Sequence, residues 1–199
     1  MMMASGIDPA GAISQAVREY QQHGNVAELL ASLDSIGAAA ELDALIAAVE
    51  PYRDLPEVSG PIYERVVAAR PTDARALVIL ASAYWLSGRG PDAVAGLASR
   101  AIAADPTNRG AWHLWALTEP DLAARVARWH QVTERFPSDD LALANLADNA
   151  ASLASTEDDD RALQLAIRSY EQLRERAGHP AQRDAVDAAL RALGLGSGD

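Results

Sequence analysis

The chain has 199 residues and a formal net charge of −11, with 17 arginines, no lysine and no cysteine. Its length is sufficient for one compact domain with a continuous apolar core. The missing residue types exclude disulfide bonds, a cysteine nucleophile, cysteine-ligated zinc and catalysis by lysine. The acidity predicts that neither nucleic acid nor an anionic membrane is a partner.

Two features of the sequence predict a location in the cytoplasm. The first residues lack the basic and apolar regions of a secretion signal. The longest strongly apolar run, residues 76–86, is too short to cross a bilayer, so we expect no membrane insertion.

Helical signals continue along the whole chain. Alanine and leucine supply most of the apolar residues and favour helix, and no segment alternates long enough to predict a strand. We predict about eleven helices, disordered termini at residues 1–7 and 194–199, and connections at 54–57 and 155–160. The predicted helices cover residues 9–23, 26–37, 40–53, 61–70, 73–87, 91–104, 108–117, 121–135, 139–153, 161–177 and 181–193. The acidic residues 157–160 are interpreted as helix caps, with a cation site as the alternative.

One local signal occurs three times. Each copy has a proline that ends one helix and, two positions later, an aspartate or asparagine able to cap the next. The copies are residues 71–73, 106–108 and 137–139, whose prolines stand 35 and 31 residues apart. This spacing is typical of a helix–turn–helix repeat, and such repeats stack mainly into binding surfaces.

One stretch of the chain resembles a tetratricopeptide repeat (TPR) closely. The matching residues are Leu77, Leu80, Ala81, Tyr84, Ala93, Leu97 and Pro106, with one extra residue before the proline. In this pattern Ala81 and Ala93 let two helix axes approach, and the larger residues fill the space around them. Gly88 and Gly90 form the turn between the two helices.

The neighbouring stretches match the same pattern less well. Residues 112–137 resemble a shortened repeat, in which Arg125 falls on a position for a small residue and Pro120 ends the first helix early. Residues 143–166 resemble a third repeat, whose second helix begins three residues later than the pattern expects. Residues 42–71 resemble a fourth repeat more faintly.

The resemblance covers about residues 41–177 and implies a fold class. We expect an all-α, TPR-like right-handed stack of antiparallel helix pairs, an α-solenoid, in a single domain over residues 8–193. Helices in residues 8–37 and 181–193 are expected to cap its ends, because a solenoid must cover its terminal apolar faces.

The resemblance also implies a concave groove, lined by the first helix of each pair, that binds a partner segment. The positions expected to face it are Arg75, Val78, Ile79, Ser82, Trp85, Leu86, Gly110, His113, Leu117, Leu141, Asn145, Asp148, Asn149 and Ser152. Trp85 is the expected anchor, and burial under a neighbouring helix is its alternative. Asn145 and Asn149 are either clamps for a peptide backbone or structural residues.

The function predicted from these patterns is a non-catalytic protein-interaction module, an adaptor or scaffold, without a cofactor. No phosphate loop, zinc helix or nucleophile elbow occurs in the sequence, so we expect no enzyme. One alternative is a permanent structural subunit or self-associating protein, and a homo-oligomer is possible. A second alternative is a small-molecule or cofactor carrier that uses the aromatic residues between Trp112 and His130. In that region the candidate metal ligands are His113 and His130, with Glu119 or Asp121 as the third.

Overall fold

The computed structural model describes residues 7–194, and in that range it contains eleven α-helices, one 3₁₀ turn and no strand. The predicted all-α class and number of helices are confirmed. The helices are α1 Pro9–His23, α2 Val26–Ala39, α3 Leu42–Val49, α4 Pro56–Ala69, α5 Ala74–Leu86, α6 Pro91–Ala104, α7 Arg109–Leu117, α8 Leu122–Arg135, α9 Asp140–Glu157, α10 Asp160–Arg176 and α11 Pro180–Ala192, with the 3₁₀ turn at Glu50–Tyr52. The prediction of disordered termini concerns residues 1–7 and 194–199. Of these, residues 1–6 and 195–199 lie outside the described residues.

The three repeated signals start helices by the same interaction. In each, the side-chain oxygen of the capping residue accepts a hydrogen bond from the backbone N–H three residues later, which satisfies a group that the helix leaves unpaired. The bonds are Asp73–Ala76 at 3.0 Å, Asn108–Ala111 at 3.2 Å and Asp139–Ala142 at 3.1 Å. Asp159 caps α10 in the same way, which confirms one predicted acidic cap.

Three helix boundaries differ from the prediction by four or five residues. Helix α3 ends at Val49 instead of Arg53, because the chain continues as the 3₁₀ turn Glu50–Tyr52. Helix α4 begins at Pro56 instead of Pro61, because Pro56 itself occupies the first turn and Pro61 is tolerated inside the helix. Helix α9 continues four residues past Leu153 to Glu157, so the predicted connection over residues 155–160 shortens to two residues. This extension accounts for the late start of the second helix of the third repeat.

The chain forms two compact units, the first ending at Leu114 and the second beginning at Trp115. In the first unit, α1 packs on α2 and α3, α4 packs on α2, α3 and α5, and α5 packs on α6. In the second unit, α9 packs on α8 and α10, and α10 packs on α11. The single domain expected over residues 8–193 stays a prediction.

The contact between α5 and α6 follows the predicted pattern with one shift. Ala81 is fully buried as expected, but Ala93 is exposed and the buried row of α6 begins at Val94. The reason is that the extra residue lies in the turn between the helices, where Gly88 and Gly90 both adopt positive φ angles. The apolar row of α6 is therefore one residue later than the expected one.

Two arginines stabilise the shortened second repeat at the end of α7. Arg125 donates to the carbonyl oxygen of Glu119 at 2.9 Å and to Oδ1 of Asn149 at 2.8 Å. Arg128 donates to the carbonyl oxygen of Trp115 at 2.7 Å, pairs with the Glu119 carboxylate at 2.5 Å and lies over the Trp115 ring. They therefore satisfy carbonyl groups that the early helix end leaves without a helical partner.

We expect Arg128→Leu to lower the free energy of unfolding by about 3 kcal/mol, because it leaves a largely desolvated carboxylate without its counter-charge. The Glu119 side chain is only 14% exposed. Urea denaturation followed by circular dichroism measures the change. The matched control is Arg70→Leu, which breaks the solvated ion pair with Asp43 and should cost about 0–1 kcal/mol. Equal losses in the two variants would contradict the structural role of Arg128.

A second prediction concerns Ser59, which lies in α4 beside the contact of Gly60 with Ala83. Its hydroxyl is completely buried and has no hydrogen-bond partner among the described residues. Ser59→Ala should therefore raise the free energy of unfolding by about 1 kcal/mol, because the desolvation cost of the hydroxyl disappears.

The control for Ser59 is Ser169→Ala. The Ser169 hydroxyl is also buried, but it donates to the carbonyl oxygen of Leu165 at 2.8 Å. This substitution removes a hydrogen bond, so its effect on the melting temperature should be zero or negative. Destabilisation by Ser59→Ala in a thermal melt would show that the hydroxyl has a partner in solution.

Candidate functional site

The exposed side of α5 carries two adjacent large apolar side chains. Trp85 is 42% exposed and Leu86 is 63% exposed, whereas Leu77, Leu80 and Ala81 on the other side of the helix are buried. Trp85 was interpreted either as an exposed anchor or as a residue buried under a neighbouring helix. The structure shows that it is exposed.

Three other predicted groove positions on α5 are less accessible. Ile79 is only 7% exposed and belongs to the core, and Val78 is half-buried against that core. Ile79, which was expected to face the groove, is part of the core instead, because α5 packs on both α4 and α6 and buries a wide arc of its surface. The Ser82 hydroxyl donates to the Val78 carbonyl oxygen at 2.9 Å, so its hydrogen is already bound within the helix.

Arg75, at the start of α5, links this helix to the 3₁₀ turn. Its guanidinium contacts the Glu50 carboxylate at 2.8 Å, and Arg53 approaches the same oxygen at 3.5 Å. Burial, followed by the charge of Glu50, raises the pKa of the Tyr63 hydroxyl above its usual value. Arg75 remains largely exposed and uses one of its five N–H donors in this contact.

Leu55 adds a third exposed apolar side chain to this part of the molecule. Helices α4 and α5 are neighbours joined by a short turn, and Gly60 lies against Ala83. This pairing places the start of α4 beside the end of α5. Leu55, Trp85 and Leu86 therefore stand at the same end of the helix pair, and we call them the α4–α5 apolar patch.

Leu55 was not among the positions predicted to contact a partner. The only signal available was an isolated leucine within the polar stretch 53–57, which gives no indication of the helix end it will stand beside. The antiparallel pairing of α4 and α5 supplies that information.

The two asparagines predicted on α9 form hydrogen bonds within the protein. The side-chain amide of Asn145 donates to the carbonyl oxygen of Leu141, and that of Asn149 donates to the carbonyl oxygen of Asn145. Asn149 also accepts the bond from Arg125. Each of these bonds uses one of the two N–H donors of the amide, so one donor of each side chain is already bound within α9.

Asp148, another predicted groove residue, is tied to α10. Its carboxylate accepts a hydrogen bond of 2.6 Å from the Tyr170 hydroxyl. Burial, this hydrogen bond and the negative charge of Asp148 raise the pKa of the Tyr170 hydroxyl well above its usual range. The pair therefore links α9 and α10, although Asp148 itself is exposed.

The remaining groove positions lie on α7 and α9. His113 and Gly110 are half-buried, and Gly110 lies against Val78, where an added methyl group would be 3.3 Å from Cγ1. Leu117 and Leu141 are exposed. The Ser152 hydroxyl donates to the carbonyl oxygen of Asp148.

The aromatic residues considered for a ligand or metal site have structural contacts. Trp129 is buried in the core, and the Trp112 indole donates to the carbonyl oxygen of Pro106 at 2.9 Å. His130 is exposed and its Nδ1 lies 3.7 Å from the Glu134 carboxylate. Within residues 7–194, no three histidine, aspartate or glutamate side chains are close enough together to hold a metal ion. None of the helices in that range is both long and apolar enough to cross a membrane.

Comparison by sequence finds no matching family model and no matching curated protein. Comparison by structure finds several similar folds. A crystal structure of MamA has a TM-score of 0.59 at 15% identity, over 90% of this chain and 100% of MamA. TTC0263, a thermophilic TPR protein of Thermus thermophilus, has a TM-score of 0.56 at 15% identity, over 92% of this chain and 99% of its own.

A third structure is YrrB, described as a TPR protein with an unusual peptide-binding site. It has a TM-score of 0.52 at 16% identity, over 80% of this chain and 93% of its own. These identities establish likeness of fold alone. Together with the capped helix pairs, they show that the chain has the TPR-like fold that its repeated pattern predicts.

Proposed function

We propose that the chain is a non-catalytic protein-interaction module that holds a segment of a partner protein against the α4–α5 apolar patch. The observation that carries this proposal is the exposure of Trp85 and Leu86 next to each other at the end of α5. Single exposed leucines are common on protein surfaces, but a tryptophan and a leucine grouped with Leu55 favour a contact site. The peptide-binding site of YrrB supports the proposal by analogy of fold.

The patch offers binding energy without a large entropic cost. Burying the exposed part of one large apolar side chain contributes about 1 kcal/mol or more at about 25 cal/mol per Å². Trp85 has only two rotatable side-chain bonds, so its immobilisation costs little compared with the area it offers. Trp85 is therefore the expected anchor of the contact, with Leu86 and Leu55 beside it.

Arg75 is proposed to fix the register of the bound segment. It stands on the same helix as Trp85, and its guanidinium is largely exposed beside Glu50. The donors that it does not use in that pair can bind a carbonyl or carboxylate oxygen of the partner. Asn145 and Asn149 are weaker candidates than Arg75 for contacts with the partner, because their amide groups already donate within α9.

The double substitution Trp85→Ala with Leu86→Ala should weaken partner binding by about tenfold or more, which corresponds to about 1.4 kcal/mol. It should leave the helical circular dichroism signal and the cooperativity of melting unchanged, because neither side chain is part of the core. Affinity capture from the source organism's soluble extract, read by mass spectrometry, measures the loss of each retained protein.

The matched control is Val26→Ala with Leu30→Ala, which removes two exposed apolar side chains from α2. Proteins retained by the wild type and the control but lost by the patch variant support the proposal. Equal retention by both variants contradicts it. Retention of this chain alone, with a dimer in light scattering that the patch variant loses, would favour self-association through the same patch.

A further inference from the structure

Helix α11 is the least buried α-helix within residues 7–194. It has no buried side chain, whereas each of the other α-helices buries at least one. Its apolar residues Val186, Ala189 and Leu190 are only half-buried. Helix α10, on which it packs, buries five side chains along its length.

The contact between α11 and the helices beneath it contains two clefts. Near the start of α11, a cleft of about 350 Å³ lies among α9, α10 and α11, where Ala185 and Val186 face Leu173 and Ala144. Near its end, a cleft of about 160 Å³ is lined by Leu193, by Leu163 of α10 and by the acidic residues 158–160. Both clefts open to solvent, so the contact of α11 with the helices beneath it is not continuous along its length.

Few polar interactions fix α11 to α10. Asp187 forms an ion pair of 2.7 Å with Arg174, and Arg183 donates to the carbonyl oxygen of Ala177 at 3.1 Å. The capping box between His179 and Gln182 is formed within α11 itself. The start of this helix is therefore stabilised by its own residues and does not depend on contact with α10.

The face beneath α11 is apolar. Leu141, at the edge of the larger cleft, is 61% exposed even with α11 in place, and Ala144, Leu173 and Ala177 continue the same surface. Arg176 and Asp140 form an ion pair at its rim. This surface resembles an interface more than a solvated helix face, because its apolar area is contiguous and its charges are at the edge.

We propose that the face of α9 and α10 beneath α11 is a binding surface for an amphipathic helix of a partner protein, and that α11 is its weakly held intramolecular occupant. A partner helix displaces α11 and takes its place. This surface belongs to the second unit and does not include Trp85, so its test is independent of the function proposed above.

Helix α11 and the two clefts beside it define the chemistry of the partner helix. Its apolar side must follow the spacing of Val186, Ala189 and Leu190, and it must place a carboxylate opposite Arg174, as Asp187 does. At the position of Ala185 a larger side chain is favoured, because the cleft of about 350 Å³ beside that alanine has room for it. An amphipathic helix with leucine at this position should therefore bind more tightly than α11 itself.

Hydrogen–deuterium exchange on the full chain tests whether α11 detaches. In the wild type, amides of residues 184–192 should exchange at least about a hundredfold faster than those of residues 165–173 in α10. Asp187→Arg places two positive charges together, because the new arginine faces Arg174. It should therefore accelerate exchange in α11 further and leave α10 protected. Ala185→Leu should slow exchange in α11 by filling the cleft.

The matched control for charge is Asp184→Arg, on the same helix at an exposed position, where the aspartate forms no ion pair with any residue from 7 to 194. It should leave exchange in α11 within about threefold of the wild type. Equal protection of α11 and α10 in the wild type would overturn the proposal. So would simultaneous loss of protection in α9 and α10 on Asp187→Arg, because α11 would then be an integral part of the unit.

Binding in trans is tested with a fluorescent peptide of residues 179–194 that carries Ala185→Leu. By fluorescence anisotropy it should bind the full-length Asp187→Arg chain at least about tenfold more tightly than the wild-type chain, whose own α11 competes at high effective concentration. The same peptide with Asp187→Arg in addition should lose that binding. Absence of binding to the Asp187→Arg chain up to about 1 mM peptide would overturn the assignment of a helix-binding surface.

Discussion

Close contact between helices at buried alanines is the constraint on which the rest of the structure depends. Alanine loses no side-chain entropy on burial and lets two helix axes approach, so that larger residues can fill the space on either side. The fully buried alanines are Ala81, Ala98, Ala101, Ala111, Ala116, Ala142, Ala147, Ala150 and Ala166. They occur in both units, and a larger residue at most of these positions would separate a helix pair. These contacts account for part of the alanine content of the chain, since other alanines, such as Ala93 and Ala103, are exposed.

The shortened repeat shows what replaces this contact where an alanine is missing. Arg125 stands where the repeat pattern expects a small residue, and its guanidinium reaches a backbone carbonyl and Asn149 instead of separating the helices. Arg128 and Glu119 form a second polar link beside it. A long side chain is tolerated there because its polar end is hydrogen-bonded, which offsets the cost of removing it from water. The departure from the repeat pattern is thus compensated by local hydrogen bonds.

Sequence analysis was accurate for features that depend on adjacent residues. Helix caps such as Asp73 and Asp139 could be predicted because the capping bond joins residues three positions apart. The exposure of Trp85 and the burial of Ile79 could not be decided, since both depend on which faces of α5 its neighbours cover. Likewise, no pattern in the sequence indicates that Leu55 lies at the same end of the α4–α5 pair as Trp85. The fold was therefore predictable from local signals, whereas the candidate site required the pairing of helices.

The connection between α9 and α10 has a consequence for the order of folding. Only two residues join these helices, and Asp158, the one described non-glycine residue with a positive φ angle, makes the reversal possible. Closing so short a loop costs little chain entropy, and contacts between residues near in sequence form faster than distant ones. The Tyr170–Asp148 hydrogen bond joins the same two helices. We therefore expect the α9–α10 hairpin to form early in the folding of the second unit.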